Sequence, residues 1–270
     1  MSGREMNEGA TGVRGGAVSD MTPSAGITVD DVSMRFGNLS VLEHIDLGFR
    51  PDEFVAVVGA SGCGKSTLLS IIAGLLEPTE GDVFVDGKPI EGPGRDRGVV
   101  FQQPALLPWL SCQKNVEFAL RGEPMTKAQR AEVARARLRD VKLEGFEDAY
   151  PKELSGGMQQ RLALARSLSY KPRILLMDEP FGALDALTRQ EMQLLLTQVW
   201  EANRMTVMMV THDIEEAVFT ADRVVVFTPR PGRVREEIKI DLPRPRTQEM
   251  ISTPGFQRYV SHIWDLIHEG

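Results

Sequence analysis

The sequence predicts an α/β fold whose central sheet is mostly parallel. Short apolar runs at residues 54–58, 174–177, 206–210 and 223–227 predict buried strands, and helical patterns separate most of them along the chain. Strands that are apolar on both faces and alternate with helices are typical of a parallel sheet covered by helices on both sides. A length of 270 residues suits one large domain with a smaller helical insert.

The first strands precede this alternating part of the chain. Residues 27–36 and 41–49 each alternate apolar with polar side chains, and Gly37 and Asn38 lie between the two runs. Further along, an Asp-Gly pair at residues 86–87 follows a short apolar run, which predicts a tight β-hairpin. We therefore expect several strands ahead of the helical insert.

Residues 111–168 predict the helical insert, because helical patterns dominate this stretch. Thr126 is followed three positions later by Gln129, which is the pattern of a capping box at a helix start. We expect this stretch to form a smaller subdomain beside the sheet.

Strands and helices alternate again after the insert. A helix is predicted over residues 186–201, and Asp213 with Glu216 predicts the capped start of another helix. The closing segment, residues 257–268, carries apolar side chains at helical spacing. We expect this last helix to pack on the domain.

Composition and charge narrow the class of protein. Hydrophobic residues make up 42% and charged residues 26% of the chain, as in ordinary folded proteins. The formal net charge of -7 disfavours a non-specific nucleic-acid binder, since such proteins need a positive surface. Cys63 and Cys112 are too few for a disulfide framework and fit no metal-ligand spacing, which favours a reducing compartment.

Neither end of the chain nor its interior predicts a membrane segment. Residues 1–26 are rich in Gly, Ser and Thr and lack the apolar core of a signal peptide, so we expect a flexible tail. The longest uncharged run, residues 98–113, is interrupted by glutamine and proline and falls short of the roughly 20 apolar residues that span a bilayer. We expect no membrane-spanning segment.

A glycine-rich loop links the strand at residues 54–58 to a helix predicted over residues 66–76. The loop and the first turn of the helix consist of Gly59, Ala60, Ser61, Gly62, Cys63, Gly64, Lys65, Ser66 and Thr67. This sequence fits G-x-x-x-x-G-K-[ST], in which backbone N–H groups and the helix N-terminus bind the phosphates of a nucleotide. In such a loop Lys65 reaches the β- and γ-phosphates and Ser66 is a ligand of Mg²⁺. The alternative is a glycine-rich turn without a ligand.

Two adjacent carboxylates end the apolar strand at residues 174–177. Asp178 and Glu179 follow it directly, at the edge where ligands bind in open α/β sheets. We expect Asp178 to hold Mg²⁺ through water, and Glu179 to orient the attacking water or accept its proton. The alternative is a strand that ends in solvated acids, and the preceding glycine-rich loop favours the catalytic interpretation.

A second glycine-rich helix start has the sequence LSGGMQQR at residues 154–161. Ser155 is a good N-cap, and Gly156 and Gly157 permit a phosphate to approach the free N–H groups. The alternative is an ordinary capped helix with its apolar side chains in the core. Two such helix starts in one domain suggest that two copies share the nucleotide, with Lys65 of one subunit and Ser155 of the other on the same γ-phosphate.

Together these motifs resemble those of ATP-binding cassette (ABC) ATPases, in which LSGGMQQR is the signature sequence. The resemblance places Ser155, Gly156, Gly157 and Gln159 on the ATP of the opposite subunit. It covers residues 27–245 and implies a P-loop NTPase fold with a mostly parallel core sheet, an N-terminal antiparallel β-subdomain and an α-helical subdomain. We divide the chain into the tail, an ATPase domain at residues 27–246 with its helical subdomain at about 111–168, and a C-terminal helical extension at residues 247–270.

The resemblance also implies roles for Phe36, Gln102, Asp185 and His212. Adenine stacks on the aromatic ring of Phe36, for which a place in the core is the alternative. Gln102 contacts Mg²⁺ or the attacking water, and His212 hydrogen-bonds the γ-phosphate, although a surface glutamine and a structural histidine are the plain alternatives. Asp185 touches the opposite subunit and is also a candidate N-cap. Lys65, Gln102, Glu179 and His212 are thus the candidate catalytic residues.

The resemblance implies ATP and Mg²⁺ as cofactors and a homodimer, or a pair with a second ABC ATPase. It also implies separate transmembrane permease subunits, an indirect link to a solute-binding protein, and a peripheral position on the cytoplasmic face of the inner membrane. No nucleic-acid partner is expected. Residues 104–110 and 242–246 resemble the nitrate, sulfonate and taurine branch of importer ATPases, and the apolar 104–110 segment suits a groove for a permease helix.

Two other functions compete with an import motor. A cassette ATPase that acts on ribosomes or nucleic acid usually carries a second cassette, a coiled-coil insert or basic surfaces, none of which this sequence shows. A small P-loop kinase gives no reason for the LSGGMQQR sequence. An importer of nitrate, sulfonate, taurine or a similar small anion is therefore the function that the sequence favours.

Overall fold

The structure is a computed structural model that describes residues 26–268. The expected flexible tail lies outside the described residues except for Gly26. The described chain forms two β-sheets and a group of helices. Its strands are β1 (Ile27–Phe36), β2 (Leu39–Phe49), β3 (Phe54–Val58), β4 (Glu80–Val85), β5 (Lys88–Pro89), β6 (Arg97–Val100), β7 (Ile174–Asp178), β8 (Thr206–Val210), β9 (Arg223–Phe227) and β10 (Val234–Lys239). Its α-helices are α1 (Lys65–Ile72), α2 (Cys112–Ala119), α3 (Lys127–Asp140), α4 (Gly156–Leu168), α5 (Ala186–Asn203), α6 (Ile214–Thr220) and α7 (Pro254–His268).

The larger sheet has six strands in the order β10-β9-β3-β8-β7-β6. The five strands β9, β3, β8, β7 and β6 are parallel, and only β10 runs antiparallel to its neighbour. Every side chain of β3 and β8 is buried, as expected for strands with helices on both faces. The carboxyl ends of β3, β6, β7 and β8 therefore meet at one edge of the sheet. The predicted fold class is confirmed.

The smaller sheet has the order β2-β1-β4-β5 and is antiparallel throughout. The predicted strands on either side of Gly37 and Asn38 are confirmed as β1 and β2, and the Asp86-Gly87 pair joins β4 to β5. Apolar side chains from this sheet and from α1 share one buried cluster with β3. This packing holds the antiparallel sheet close to the glycine-rich loop that follows β3.

The helices α2, α3 and α4 pack on one another beside the larger sheet. The capping box at α3 is confirmed, since Thr126 and Gln129 exchange hydrogen bonds between their side chains and backbone amides. α1 is shorter than the predicted helix over residues 66–76. It ends at Ile72 because Gly74 follows in a left-handed conformation with φ of 73°, which is a common helix stop.

The C-terminal helix α7 packs on the domain through Phe256 and Ile263, which are buried. Trp264 was expected to contribute to this packing but is 54% exposed, and it stacks on His268 within the same helix. The helical period places Trp264 one position past Ile263 and therefore away from the sheet. Between residues 26 and 268, no helix combines the length and apolar character that crossing a bilayer requires.

Candidate functional site

The glycine-rich loop connects β3 to α1 at the carboxyl edge of the larger sheet. Lys65 begins α1, and its side chain is turned back over the loop and only 5% exposed. Its Nζ donates hydrogen bonds to the carbonyl oxygens of Gly59, at 2.8 Å, and Ala60, at 3.0 Å. A buried ammonium group needs acceptors, and phosphate oxygens satisfy the same need. The loop thus holds a cation at the place where the first N–H groups of a helix are free.

An open cavity of about 350 Å³ lies over this loop. The aromatic ring of Phe36, at the turn between β1 and β2, lines it and is 49% exposed. An aromatic face at the mouth of a phosphate-binding loop is suited to stack a nucleotide base. The cavity is lined by Phe36, Leu39, Val41, Ser61, Gly62, Gly64, Lys65, Ser66, Thr67, Glu179 and Arg230.

Ser66 and Asp178 form a pair of oxygen ligands between α1 and the end of β7. The Ser66 hydroxyl donates a hydrogen bond of 2.7 Å to Oδ1 of Asp178. Burial raises the pKa of Asp178, and the Ser66 hydrogen bond opposes this shift. Glu179 raises the same pKa further through its charge, and Lys65 lowers it. Mg²⁺ prefers oxygen ligands and stabilises ionised carboxylates, so this donor set fits the ion.

Two of the predicted catalytic residues, Gln102 and His212, contact one carboxylate oxygen of a third, Glu179. Oε2 of Glu179 accepts a hydrogen bond of 3.3 Å from Nε2 of Gln102 and lies 3.1 Å from Nδ1 of His212. These residues follow β7, β6 and β8 respectively, so the parallel sheet brings them together. Glu179 has a φ of 43°, which is a strained conformation for a side chain of this kind and is frequent at functional sites. The arrangement suits a carboxylate that orients and deprotonates a water molecule.

The second glycine-rich helix start opens α4 and stands apart from this cluster. Ser155 is exposed, and its Oγ accepts a hydrogen bond of 3.3 Å from the Met158 amide, as predicted for an N-cap. Nε2 of Gln159 donates to the carbonyl oxygens of Pro151, at 3.0 Å, and Leu154, at 3.2 Å. These side chains hold the helix start in shape. Within residues 26–268, no hydrogen bond joins residues 155–159 to the glycine-rich loop before α1.

α4 is nevertheless connected to the catalytic cluster through the residue after Gln159. Nε2 of Gln160, which is buried, donates a hydrogen bond of 2.7 Å to the carbonyl oxygen of Gln102. The backbone of Gln102 is therefore attached to the helical subdomain, while its side chain contacts Glu179. A movement of α4 relative to the sheet would displace Gln102 from the carboxylate.

Asp185 caps α5, which was one of the two roles predicted for it. Its carboxylate accepts hydrogen bonds from the amide and the hydroxyl of Thr188, and these bonds lower its pKa. Next along the helix, Arg189 donates to the carbonyl oxygen of Leu184 and to the carboxylate of Asp213. Arg189 thereby connects the loop before α5 with the residue that follows His212.

Sequence reasoning missed Arg189 and Arg230. Arg230 lines the cavity, and its guanidinium group donates two hydrogen bonds to the carbonyl oxygen of Gly62. The partners are distant along the chain, since Arg230 and Gly62 are 168 positions apart. No local pattern marks such a pair, and an arginine after a strand is most simply interpreted as a surface residue. Only the fold reveals these two contacts.

Comparison with known proteins gives concordant matches. A family model described as ABC transporter matches residues 42–182. A taurine import ATP-binding protein of Burkholderia pseudomallei is 51% identical over 210 residues, which cover 78% of this chain and 81% of that protein. A nitrate import ATP-binding protein of Synechocystis sp. is 46% identical over 237 residues, covering 86% of this chain and 89% of the relative.

The fold also matches a solved ATP-binding cassette in a dimeric, post-hydrolysis state with ADP and phosphate bound. The TM-score is 0.70 at 36% sequence identity, over 80% of this chain and 100% of the solved one. The matched family region includes the glycine-rich loop, the start of α4 and Glu179.

Proposed function

The chain belongs to the ABC transporter family, as an ATPase of the branch that includes nitrate and taurine import proteins, and from this we propose that it powers the import of a small anion. Its reaction is the hydrolysis of ATP. The anion is nitrate, a sulfonate such as taurine, or a compound of similar size and charge. The observation that carries the proposal is the convergence of Gln102 and His212 on Glu179 beside the phosphate-binding loop.

Different residues of the site bind different parts of the nucleotide. The loop from Gly59 to Thr67 binds the phosphates through its amides and Lys65, and Phe36 stacks on adenine. Ser66 would hold Mg²⁺ directly and Asp178 through water, with Gln102 as a further candidate oxygen ligand. When bound, Mg²⁺ supplies positive charge that offsets the charge on the phosphate oxygens.

Hydrolysis depends on the groups around Glu179. This carboxylate accepts the proton of the attacking water or orients it, and Gln102 fixes its direction through the hydrogen bond to Oε2. His212 lies on the same oxygen and is placed to donate to the γ-phosphate. Since phosphoryl transfer requires mainly positioning and charge stabilisation, these polar groups suffice without a covalent intermediate.

A second protomer completes each site in this proposal. The start of α4, where Ser155 and Gly156 are exposed and Gly157 and Gln159 follow, offers amides to the γ-phosphate held by the loop of the other protomer. The dimeric state of the matched ATP-binding cassette supports this arrangement. The pair is a homodimer or a combination with a second ABC ATPase, and Asp185 lies at the surface between the two protomers.

The permease subunits are expected to bind next to Gln102. In the segment that follows it Trp109 is 70% exposed, and Phe101, directly before Gln102, is also exposed. An exposed apolar surface of this kind favours a protein partner, here a helix of a permease subunit. The chain would then lie peripherally on the cytoplasmic face of the inner membrane and receive the signal of a solute-binding protein through the permease.

The test is reconstitution with the permease and solute-binding protein encoded alongside this chain. ATP hydrolysis in proteoliposomes should rise several-fold when the binding protein carries its anion, and nitrate, sulfate, taurine and longer sulfonates form the panel. Trp109→Ala should abolish this stimulation and leave the basal ATPase activity unchanged. Stimulation by ribosomes or nucleic acid, with none by any loaded binding protein, would instead establish a non-transport cassette ATPase.

A further inference from the structure

Arg230 lies in the loop between β9 and β10 and contacts the phosphate-binding loop. Its Nε and one terminal nitrogen donate hydrogen bonds of 2.9 Å and 2.7 Å to the carbonyl oxygen of Gly62. The side chain also lines the nucleotide cavity, although no motif of the sequence includes it. Two charged hydrogen bonds on one carbonyl oxygen are a specific contact, stronger than the usual pairing of a surface arginine.

The loop that carries Arg230 is fixed between β2 and the phosphate-binding loop. The Gly232 amide donates to the carbonyl oxygen of Val41, and the Gly232 carbonyl accepts from the Glu43 amide. Gly232 approaches the phosphate-binding loop so closely that a Cβ atom would lie 2.0 Å from the carbonyl oxygen of Cys63. Only glycine fits at this position. The place of Arg230 is thus set by backbone contacts on both sides of the loop.

The contact acts on one peptide unit of the phosphate-binding loop. The Gly62 carbonyl and the Cys63 amide belong to the same planar, trans peptide group and point in opposite directions. Arg230 fixes the carbonyl end, and the amide end points back across the loop toward the Ala60 carbonyl, where amides that bind phosphate are needed. The Cys63 amide has only a long bond of 3.3 Å to the Ala60 carbonyl and is available for a stronger acceptor.

A cation on the carbonyl oxygen also polarises the peptide group. Withdrawal of electron density toward the guanidinium makes the Cys63 N–H a better donor, as in other chains of coupled hydrogen bonds. Lys65 acts from the cavity side by binding phosphate directly, while Arg230 acts through the Gly62–Cys63 peptide group. The two cations therefore have separable effects on a nucleotide.

We propose that Arg230 is a positioning residue for the nucleotide phosphates, and that it orients and polarises the Gly62–Cys63 peptide group for the β-phosphate of ATP and ADP. This inference rests on the nucleotide site of the proposed function. It predicts that the contribution of Arg230 appears only with nucleotides that reach the Cys63 amide. AMP, which ends at the α-phosphate, should be insensitive to it.

The experiment compares Arg230→Met, which keeps the length of the side chain but removes all donors, with Arg230→Lys, which retains one charged donor. Dissociation constants of the full chain for ATP, ADP and AMP are measured by calorimetry or by displacement of a fluorescent nucleotide. Arg230→Met should weaken ATP and ADP about tenfold, the effect of losing a charged hydrogen bond, and change AMP less than twofold. Arg230→Lys should recover part of the loss. In turnover, KM for ATP should rise about tenfold with kcat within about twofold.

Arg233→Met is the matched control. Arg233 belongs to the same loop, but its side chain pairs with Glu43 on the outside, away from Gly62. This variant should bind all three nucleotides as the unmodified chain does, and thermal unfolding of each variant checks that the fold is kept. An equal effect of Arg230→Met and Arg233→Met on ADP would show a general loosening of the loop and overturn the proposal.

Two further outcomes would overturn the role of Arg230. Unchanged ADP affinity in Arg230→Met would show that the contact with Gly62 does not serve the phosphates. Equal losses for AMP and ADP would show that Arg230 contacts the nucleoside or the α-phosphate instead. Both outcomes leave the proposed function intact as long as the unmodified chain binds ATP, whereas an unmodified chain that binds no ATP refutes both proposals.

Discussion

The chain has two glycine-rich helix starts, and their surroundings differ. At the start of α1, Ser66, Glu179 and the buried Lys65 line the same cavity, and Asp178 accepts the hydrogen bond of Ser66. At the start of α4, the side chains of Ser155 and Gln159 hydrogen-bond within their own segment. Both starts offer free N–H groups, but only the first has a cation, metal ligands and a catalytic carboxylate in the same protomer.

A helix start that can bind an anion is therefore not a complete binding site by itself. In the proposed function the start of α1 binds the phosphates of a nucleotide, whereas the start of α4 needs a phosphate brought by another molecule. A second protomer supplies that phosphate most simply, because the matched ATP-binding cassette is dimeric. If α1 binds the nucleotide and α4 acts only in a dimer, changes at the two helix starts should have different effects, and the largest is expected at α1.

The largest effect is expected for Lys65→Ala. This change removes the buried cation of the phosphate-binding loop and its hydrogen bonds to the carbonyl oxygens of Gly59 and Ala60. ATP affinity should fall by about two orders of magnitude or more, because a buried charged contact to phosphate is lost. Calorimetry with Mg-ATP measures the loss, and Lys88→Ala, at an exposed position of β5, is the control. Undiminished binding of Mg-ATP would show that the start of α1 does not differ from the start of α4 in the proposed way.

Glu179→Gln should separate binding from chemistry at the same site. The amide keeps the size of the side chain but cannot accept a proton, so turnover should fall about 100-fold or more while Mg-ATP still binds. A dimer should then accumulate with ATP, visible by light scattering after gel filtration. Glu215→Gln, an exposed acid on α6, is the control and should behave as the unmodified chain. Hydrolysis at the unmodified rate would remove Glu179 from its proposed role.

From the sequence, the strands and loops around α1 could be predicted better than the hydrogen bonds that distant residues make to them. The strands β3, β7, β8 and β9 consist almost entirely of apolar residues in runs of strand length, and β3, β8 and β9 have the predicted bounds. β10 was not predicted, because this edge strand is rich in charged side chains and has no apolar run. β6 was missed as well, since its first residues are Arg97 and Gly98.

The candidate site shows the same contrast between residues that a local sequence pattern indicates and contacts between residues far apart in the chain. Glu179 and His212 follow predicted strands, so a parallel sheet predicts that they meet, whereas Gln102 follows the missed strand β6 and was placed in the site only by the family resemblance. Arg189 and Arg230 act through single carbonyl oxygens of loops, Leu184 and Gly62. Such contacts depend on the path of two loops in space, and neither composition nor periodicity contains that information.

A mixture of two inactive variants tests directly whether α4 of one protomer serves α1 of the other. Ser155→Arg fills the start of α4 with a long side chain, and Lys65→Ala disables the loop before α1. Each variant alone should be inactive. In a mixed dimer, one site combines both defects and the other combines an intact loop with an intact α4.

Random pairing of equal amounts should restore about a quarter of the unmodified activity, because half of the dimers are mixed and each has one intact site. The ATPase rate of the mixture, after exchange of subunits without nucleotide, is the measurement. A mixture of Lys65→Ala with Glu179→Gln is the control, since both defects then lie on the α1 side and no intact site arises. No recovery in the first mixture would show that the two helix starts serve the same protomer or separate functions.

The smallest effect is expected for Glu216, a buried acid near the edge of the sheet where Glu179 lies. Among the described residues, the start of α4 has no buried acid of this kind. Glu216 is 3% exposed on α6, and burial raises its pKa from 4.5 to about 8. The charge of Asp213 raises the pKa further, while Thr211 and Arg189 oppose the shift. The folded chain therefore keeps a proton that the unfolded chain releases above its ordinary pKa.

The free energy of unfolding should consequently fall as the pH rises from about 4.5 to about 8 and level off above that range, since the folded state binds more protons there. Glu216→Gln mimics the protonated form and should remove this part of the slope, which amounts to a few kcal/mol at about 1.4 kcal/mol per pKa unit. Urea unfolding between pH 5 and pH 9, with Glu215→Gln as the exposed control, measures it. An unchanged slope in Glu216→Gln would mean that Glu216 is ionised in the folded protein, with Arg189 as its counter-ion.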